Sequence, residues 1–285
     1  MKKLIVLTLL FTFAAFGGFA KGTRTGGDEG FSGDFVFGGS TTVEPVALSA
    51  IEVFEEMHPN AKITYDGTGS STGVKNALSG VYLVGGASRE LKQSEIDEGA
   101  VATPIALDGI AVVVSNNVPI DNLTVEQVAK IFSGEYRSWK DVGGPDKAIV
   151  VVNRDEASGT RAAFLELALD AYYGGKEGEF IADAITTESN GNMVSMVGAT
   201  PDAIGYCGFG YLDDARNAGA KEISVDGMDP SVDNVLSGKY PVSRKLNLVT
   251  KGEPKAGSIE KAFIDFLLSG EGQAIVDEEG YISLP

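Results

Sequence analysis

Arg154, Ser158, Gly159 and Thr160 stand close together in Val150-Val151-Val152-Asn153-Arg154-Asp155-Glu156-Ala157-Ser158-Gly159-Thr160-Arg161. The segment begins as a β-branched strand and ends as the opening turn of a helix. A helix N-terminus carries unpaired N–H groups and partial positive charge, which suits it to an anion. Ser158 and Thr160 add hydroxyl donors, Gly159 lets an anion approach the backbone, and Arg154 brings a planar fork of N–H groups. Alone, Ser158 reads more readily as an ordinary N-cap.

The arrangement recurs twice. Thr41-Thr42 follow the strand-like Asp34–Phe37 and precede a helical pattern carried by Val46, Ala47, Ala50, Phe54 and Met57. Ser70-Ser71 follow the strand Ala61–Tyr65 in Asp66-Gly67-Thr68-Gly69-Ser70-Ser71-Thr72-Gly73, ahead of a helix bearing Val74, Ala77 and Leu78. A nucleotide P-loop would end in Gly-Lys-Ser/Thr, whereas Gly73 is followed by Val74. In open α/β sheets, ligands bind beyond the carboxyl ends of strands, where helix N-termini converge. Three such loops around one cleft would offer an anion neutral donors, the Arg154 charge and a second arginine, Arg89. Each hydrogen bond to a charged group contributes about 1.5–3 kcal/mol. The competing account is three private helix caps.

An anion site is unexpected in so acidic a chain. The formal charge is −17, which disfavours nucleic acid and anionic lipid as partners. Local donors must overcome that field, which salt screens beyond about 8 Å. Catalysis fares worse. The single histidine, His58, sits in a His-Pro-Asn helix stop and reads as a solvent-exposed terminal residue, so Ser158 has no evident base. No Gly-x-Ser-x-Gly elbow surrounds it, and the cysteine and histidine clusters of a zinc site are missing. Asp155 and Glu156 read as partners of Arg154 or as solvated charges. The chain is expected to be a binding protein and not an enzyme, with no cofactor and no metal. A serine-dependent phosphatase or esterase is the rival from another class.

The elements that must position these residues alternate between strand and helix, the pattern of α/β sheets built on two cores. Strands are expected at Val81–Gly86, Pro104–Ser115 with a break at Asp108-Gly109, Ala203–Gly210 and Pro241–Thr250. Helices are expected over Leu91–Gly99, through Val125, Val128 and Phe132, through Phe164, Ala168 and Tyr172 up to Gly174-Gly175, after Asn190-Gly191-Asn192, and over Ile259–Leu268. Trp139 and the lone Cys207 read as packing residues. Ahead of them, Lys2-Lys3, an apolar run to Phe16 and small residues to Ala20 read as a cleaved signal peptide, 1–20, followed by a flexible linker, 21–33. Losing Lys2 and Lys3 takes the charge from −17 to −19.

Over nearly the whole mature chain the sequence resembles the periplasmic phosphate-binding proteins of high-affinity phosphate ABC importers. The resemblance runs through Gly39-Ser40-Thr41-Thr42-Val43, Gly67 to Gly73, Gly86-Ala87-Ser88-Arg89, Leu123-Thr124 to Trp139-Lys140-Asp141-Val142-Gly143, and Asn153-Arg154 to Thr160-Arg161. It continues through Ala203-Ile204-Gly205-Tyr206, Tyr240-Pro241-Val242-Ser243-Arg244 and Phe266 to Gly272. It implies a two-lobed type II periplasmic-binding-protein fold, each lobe a mainly parallel sheet flanked by helices. Residues 34–107 and 246–285 would form lobe 1 and residues 108–245 lobe 2, joined by two hinge strands drawn from Pro104–Val114 and Leu246–Thr250.

Carried over by motif, the ligand shell falls on Thr41, Thr42, Ser70, Arg154, Ser158, Gly159 and Thr160, with Arg89 added. Some members place an aspartate after the Ala-Ser, where it accepts the proton of hydrogen phosphate and rejects sulfate. Here that position is Arg89, which can donate to phosphate but cannot accept a proton; Asp66, Glu156 and backbone carbonyls are the substitute acceptors, and a salt bridge from Arg89 to Glu90 or Glu95 is its alternative role. The resemblance implies capture of inorganic phosphate, delivery to the membrane permease of an ABC importer, a monomer without nucleic-acid partners, and an exported location, periplasmic or associated with the cell envelope. Another tetrahedral oxyanion, such as sulfate or molybdate, is the alternative ligand.

Overall fold

The structure is a computed structural model that describes residues 30–174 and 178–285. The expected signal peptide, most of the expected linker and Gly175 lie outside the described residues. Strand β1 (Gly33–Gly39) enters the turn Ser40–Thr42 and then helix α1 (Glu44–Met57). The apolar spacing of α1 buries Val46, Ala47, Ala50, Ile51 and Phe54, and Pro45 occupies the first turn, where its missing N–H leaves no bond unmade. His58 ends the helix, but its ring is not free in solvent. It packs on Phe54 and Phe31 with centroids 4.5 and 5.1 Å apart, because the aromatic N-terminal segment folds back over it.

Strand β2 (Ala61–Asp66) alternates buried and exposed residues beside β1. Helix α2 (Ser70–Ser79) begins at Ser70, earlier than the apolar positions suggest, because its first turn is made of hydroxyl residues, of which Ser70 is buried, and not of apolar residues packed on a core. Strand β3 (Val84–Ala87), the short helix α3 (Gln93–Asp97) and the long strand β4 (Ala100–Ser115) follow. Asp108-Gly109 does not interrupt β4: Asp108 stays in the ladder opposite Arg244, so its charge is met within the sheet.

The chain continues through β5 (Asn122–Leu123), α4 (Val125–Ser133) and β6 (Val150–Arg154), the strand that delivers Arg154. Helix α5 (Gly159–Phe164) runs on through a π-helical stretch, Leu165–Asp170, into α6 (Ala171–Tyr173). Then come β7 (Ile185–Thr187), α7 (Asn190–Ala199), β8 (Ala203–Gly208), α8 (Leu212–Ala218), β9 (Ala220–Val225) and α9 (Val232–Leu236). Asn190 therefore opens a helix as its first residue, behind the N-cap Ser189. Strand β10 (Ser243–Lys251) and helices α10 (Ile259–Leu267) and α11 (Gly270–Glu278) complete the chain.

The strands follow the order β2-β1-β3-β10-β4-β8-β6-β7, with β9 beside β4 and β5 beside β9. Pairing is parallel where helices cross over, as in β2-β1-β3 and β8-β6-β7, and antiparallel along β10 and β4. Two large cores result. One gathers Phe37, Val46, Phe54, Ile63, Phe263 and Leu267, the other Val112, Phe132, Trp139, Phe164, Val197 and Tyr206. Strand β4 supplies Ile105 and Ala106 to the first and Ile110 to Val114 to the second, while Leu246 of β10 and the preceding Val242 divide in the same way. These paired strands cross between the cores. Trp139 is fully buried and donates its indole N–H to the Asp202 carbonyl at 3.1 Å; Cys207 is buried, which pushes its thiol pKa up.

Candidate anion-binding site

Three strand-to-helix turns meet between the two cores. Ser40–Thr42 belong to the first, and the Tyr65 and Tyr211 hydroxyls hold that turn by donating to the Ser40 and Thr41 carbonyls at 3.0 and 2.7 Å. Ser70 opens α2. Ser158 caps α5, its hydroxyl accepting from the Arg161 N–H at 3.1 Å, and so presents Gly159 and Thr160 at the helix start.

The hydroxyls form one connected set. Ser40 Oγ donates to Ser88 Oγ at 2.8 Å, Ser88 and Ser70 share a bond at 3.2 Å, and the Ser88 N–H donates to Ser70 Oγ at 3.0 Å. Thr42 Oγ1 and Thr160 Oγ1 join at 3.0 Å across the two halves of the chain. The Ser71 N–H reaches the Ala157 carbonyl at 3.0 Å over the same gap. A side chain at residue 159 would block this approach, since a Cβ there would lie 2.1 Å from Ser70 Oγ and 2.6 Å from Ser88 Oγ.

Three arginines are buried among the described residues: Arg89, Arg154 and Arg244. Two are neutralised. Arg89 holds Glu95 through Nη1 at 2.9 Å and Nη2 at 2.7 Å, and Arg244 holds Asp108 at 2.8 Å. Arg154 differs. Its Nε donates to the Thr187 carbonyl at 3.3 Å, and Nη2 to the Glu188 carbonyl at 2.8 Å and to Thr41 Oγ1 at 3.4 Å. None of these partners carries a negative charge, and Nη1 has no partner. Burial pushes the Arg154 pKa down, with Tyr206 and Asp155 pulling the other way, yet a guanidinium remains protonated in proteins. A buried donor without a partner costs about 1–3 kcal/mol, and more when charged. The position is built to receive a negative charge.

Seven of the eight residues expected from the sequence meet here: Thr41, Thr42, Ser70, Arg154, Ser158, Gly159 and Thr160. Arg89 is held differently, because Glu95 occupies both outer nitrogens of its guanidinium and only Nε is left without a partner. Asp155 and Glu156 do not pair with Arg154. Asp155 Oδ1 accepts from the Ala157 N–H at 3.1 Å, and Glu156 is exposed.

The sequence reading omitted Asn190 and Arg244. Asn190 is fully buried and its Nδ2 donates to Thr41 Oγ1 at 3.2 Å and to Thr42 Oγ1 at 2.9 Å. Arg244 Nη1 donates to the Ser88 carbonyl at 2.9 Å and Nη2 to Thr42 Oγ1 at 3.2 Å. Ser189-Asn190 at the start of a helical pattern carried one signal, a fourth polar helix opening. Arg244 stood in the segment Tyr240–Arg244 that carries the family resemblance, but inside a strand and with no local pattern that points to a ligand.

Residues 24–271 match the model of the PBP superfamily domain. The phosphate-binding protein PstS of Borreliella burgdorferi is 37% identical over 248 residues, 87% of this chain and 88% of that protein. PstS of Bacillus subtilis is 35% identical over 259 residues, 90% of this chain and 82% of that one. Among solved structures, a chain from Clostridium perfringens described as a phosphate ABC transporter substrate-binding protein with bound phosphate superposes with a TM-score of 0.81 at 39% identity. That match covers 89% of this chain and 100% of the other. This chain belongs to the PBP superfamily and, within it, to the PstS family of phosphate-binding proteins.

Proposed function

We propose that this chain is an exported solute-binding protein that captures inorganic phosphate between two lobes and hands it to the permease of an ABC importer. The observation that carries the reading is Arg154, a buried arginine whose partners are all neutral, set among hydroxyl donors from both halves of the chain. The names of its relatives and the phosphate bound in the Clostridium perfringens structure support the choice of anion. Thr41, Thr42, Ser70, Ser158, Gly159 and Thr160 supply neutral donors and Arg154 the charge; Arg89 has Nε left to offer. Lobe 1 comprises residues 34–107 and 246–285 and lobe 2 residues 108–245, with the mature protein a monomer that performs no catalysis.

A ligand that binds only the folded state stabilises it by about 2.7 kcal/mol at a hundredfold excess over its Kd. Protein stripped of bound anion by unfolding and refolding is therefore melted alone and with phosphate, sulfate or molybdate. A transition raised by phosphate is expected. No shift with phosphate overturns the reading, and a shift with sulfate or molybdate alone reassigns the ligand.

A further inference from the structure

We infer that Asn190 Oδ1 accepts the proton of a monoprotonated tetrahedral oxyanion and so selects hydrogen phosphate over anions that carry no proton. The inference rests on the phosphate function proposed above. Among the described residues four buried side-chain atoms lack a hydrogen-bond partner: Arg89 Nε, Arg154 Nη1, Tyr281 OH and Asn190 Oδ1. The first two donate and the tyrosine can do either; only Asn190 Oδ1 is an acceptor alone. Asn190 Nδ2 and Arg154 Nη2 both donate to Thr41 Oγ1. The orphaned acceptor and the orphaned Arg154 donor thus sit on side chains that share one hydroxyl.

The acceptors beside Asn190 are already committed. A hydroxyl has two lone pairs and one hydrogen. Thr41 Oγ1 receives N–H groups from Arg154 and Asn190, and Thr42 Oγ1 from Asn190 and Arg244, so both are filled as acceptors and turned into donors. The Thr187 and Glu188 carbonyls are used by Arg154. Asp108 takes Arg244 on one oxygen and the Phe209 N–H on the other. Asp66 and Glu156, the carboxylates the sequence offered as substitute acceptors, are exposed. A hydrogen phosphate can give Arg154 Nη1 an acceptor and Asn190 Oδ1 a donor together. A fully ionised anion sets a lone pair against Oδ1 instead, and a site built to bond a ligand O–H rejects the analogue that lacks it.

Titration calorimetry with phosphate, sulfate and monofluorophosphate tests this. Monofluorophosphate matches the shape and charge of hydrogen phosphate but carries fluorine in place of the hydroxyl. The wild-type chain is expected to prefer phosphate to monofluorophosphate by at least about tenfold. Asn190→Ala, with its melting transition checked, should shrink that preference to about twofold or less; Asn190→Asp, which keeps an acceptor, should bind every anion more weakly yet retain the preference. Equal wild-type affinity for phosphate and monofluorophosphate overturns the inference even if no variant folds, and so does an undiminished preference in Asn190→Ala. A wild-type chain that binds neither anion removes the proposed function and this inference together, whereas tight phosphate binding without discrimination removes the inference alone.

Discussion

Arg244 and Asp108 face each other where β10 pairs with β4, and Arg244 Nε and Nη2 converge on one Asp108 oxygen at 3.0 and 2.8 Å. Both side chains are almost wholly excluded from water. Burial pushes the Asp108 carboxyl up, against the pull of Arg244 and of the Phe209 N–H. The other Arg244 bonds run to the Ser88 carbonyl and the Thr42 hydroxyl. One ion pair therefore ties the strands that cross between the cores to two loops of the candidate site.

Breaking such a pair from one side strands a buried charge, at a cost of about 3–5 kcal/mol, whereas replacing both partners by apolar groups is often nearly neutral. Asp108→Asn should lower the urea midpoint by that order of free energy. The double variant Asp108→Leu/Arg244→Met should recover most of the loss. A single variant as stable as the wild type would show that the pair carries no such charge balance.

Arg154 presents the opposite case, since its charge is buried with no carboxylate partner. Arg154→Met should leave the melting temperature of the stripped chain close to the wild-type value, because the removed desolvation penalty offsets the lost bonds to the Thr187 and Glu188 carbonyls. Phosphate affinity should fall by at least about a hundredfold, the size expected for losing two charge-assisted hydrogen bonds. Calorimetry alongside a melting scan separates the two effects. Unchanged affinity would remove Arg154 from the site.

The sequence exposed what local physics controls. The spacing in α1, the alternation of β2 and the hydroxyl loops ahead of α2 and α5 are all short-range signals, and the structure brings those loops together. Long-range partnerships were hidden. Asp108-Gly109 looked like a strand break because the compensating charge, Arg244, lies far along the chain. Asn190 looked like a helix preface because its partners, Thr41 and Thr42, come from the other half. Arg89 left two readings open, a phosphate donor or a salt-bridge partner of Glu90 or Glu95, because the sequence alone does not place α3; once α3 folds beside it, Glu95 takes the guanidinium.

Gly159 gives a test of closure that leaves both cores alone. The residue is helical, so alanine suits its backbone and favours α5 by up to about 1 kcal/mol. Yet the new Cβ would fall 2.1 Å from Ser70 Oγ and 2.6 Å from Ser88 Oγ, so the halves would have to separate. Gly159→Ala should therefore keep or raise thermal stability without ligand while weakening phosphate binding. Overpacking of about 1–3 kcal/mol corresponds to roughly a ten- to hundredfold loss. Small-angle scattering with saturating phosphate should show a larger radius of gyration than the wild type. Unchanged affinity and radius would mean that the halves need not approach so closely.

The Arg89–Glu95 pair should reveal itself in acid. Burial alone would raise the Glu95 pKa, but its bonds with Arg89 and the Lys92 N–H outweigh this and hold it below the ordinary value of 4.5. The unfolded chain then binds more protons than the folded one as pH falls past 4.5, so the pair's contribution is complete above that value and is lost as pH falls through the lower folded pKa. Arg89→Met should accordingly melt below the wild type near pH 7, and the gap should narrow steadily toward about pH 3. Because Glu95 is only partly shielded from solvent, the narrowing is read as a trend in melting temperature across matched buffers. A gap that stays constant with pH would show that Arg89 supports the fold through packing of its alkyl stem, with no net help from Glu95.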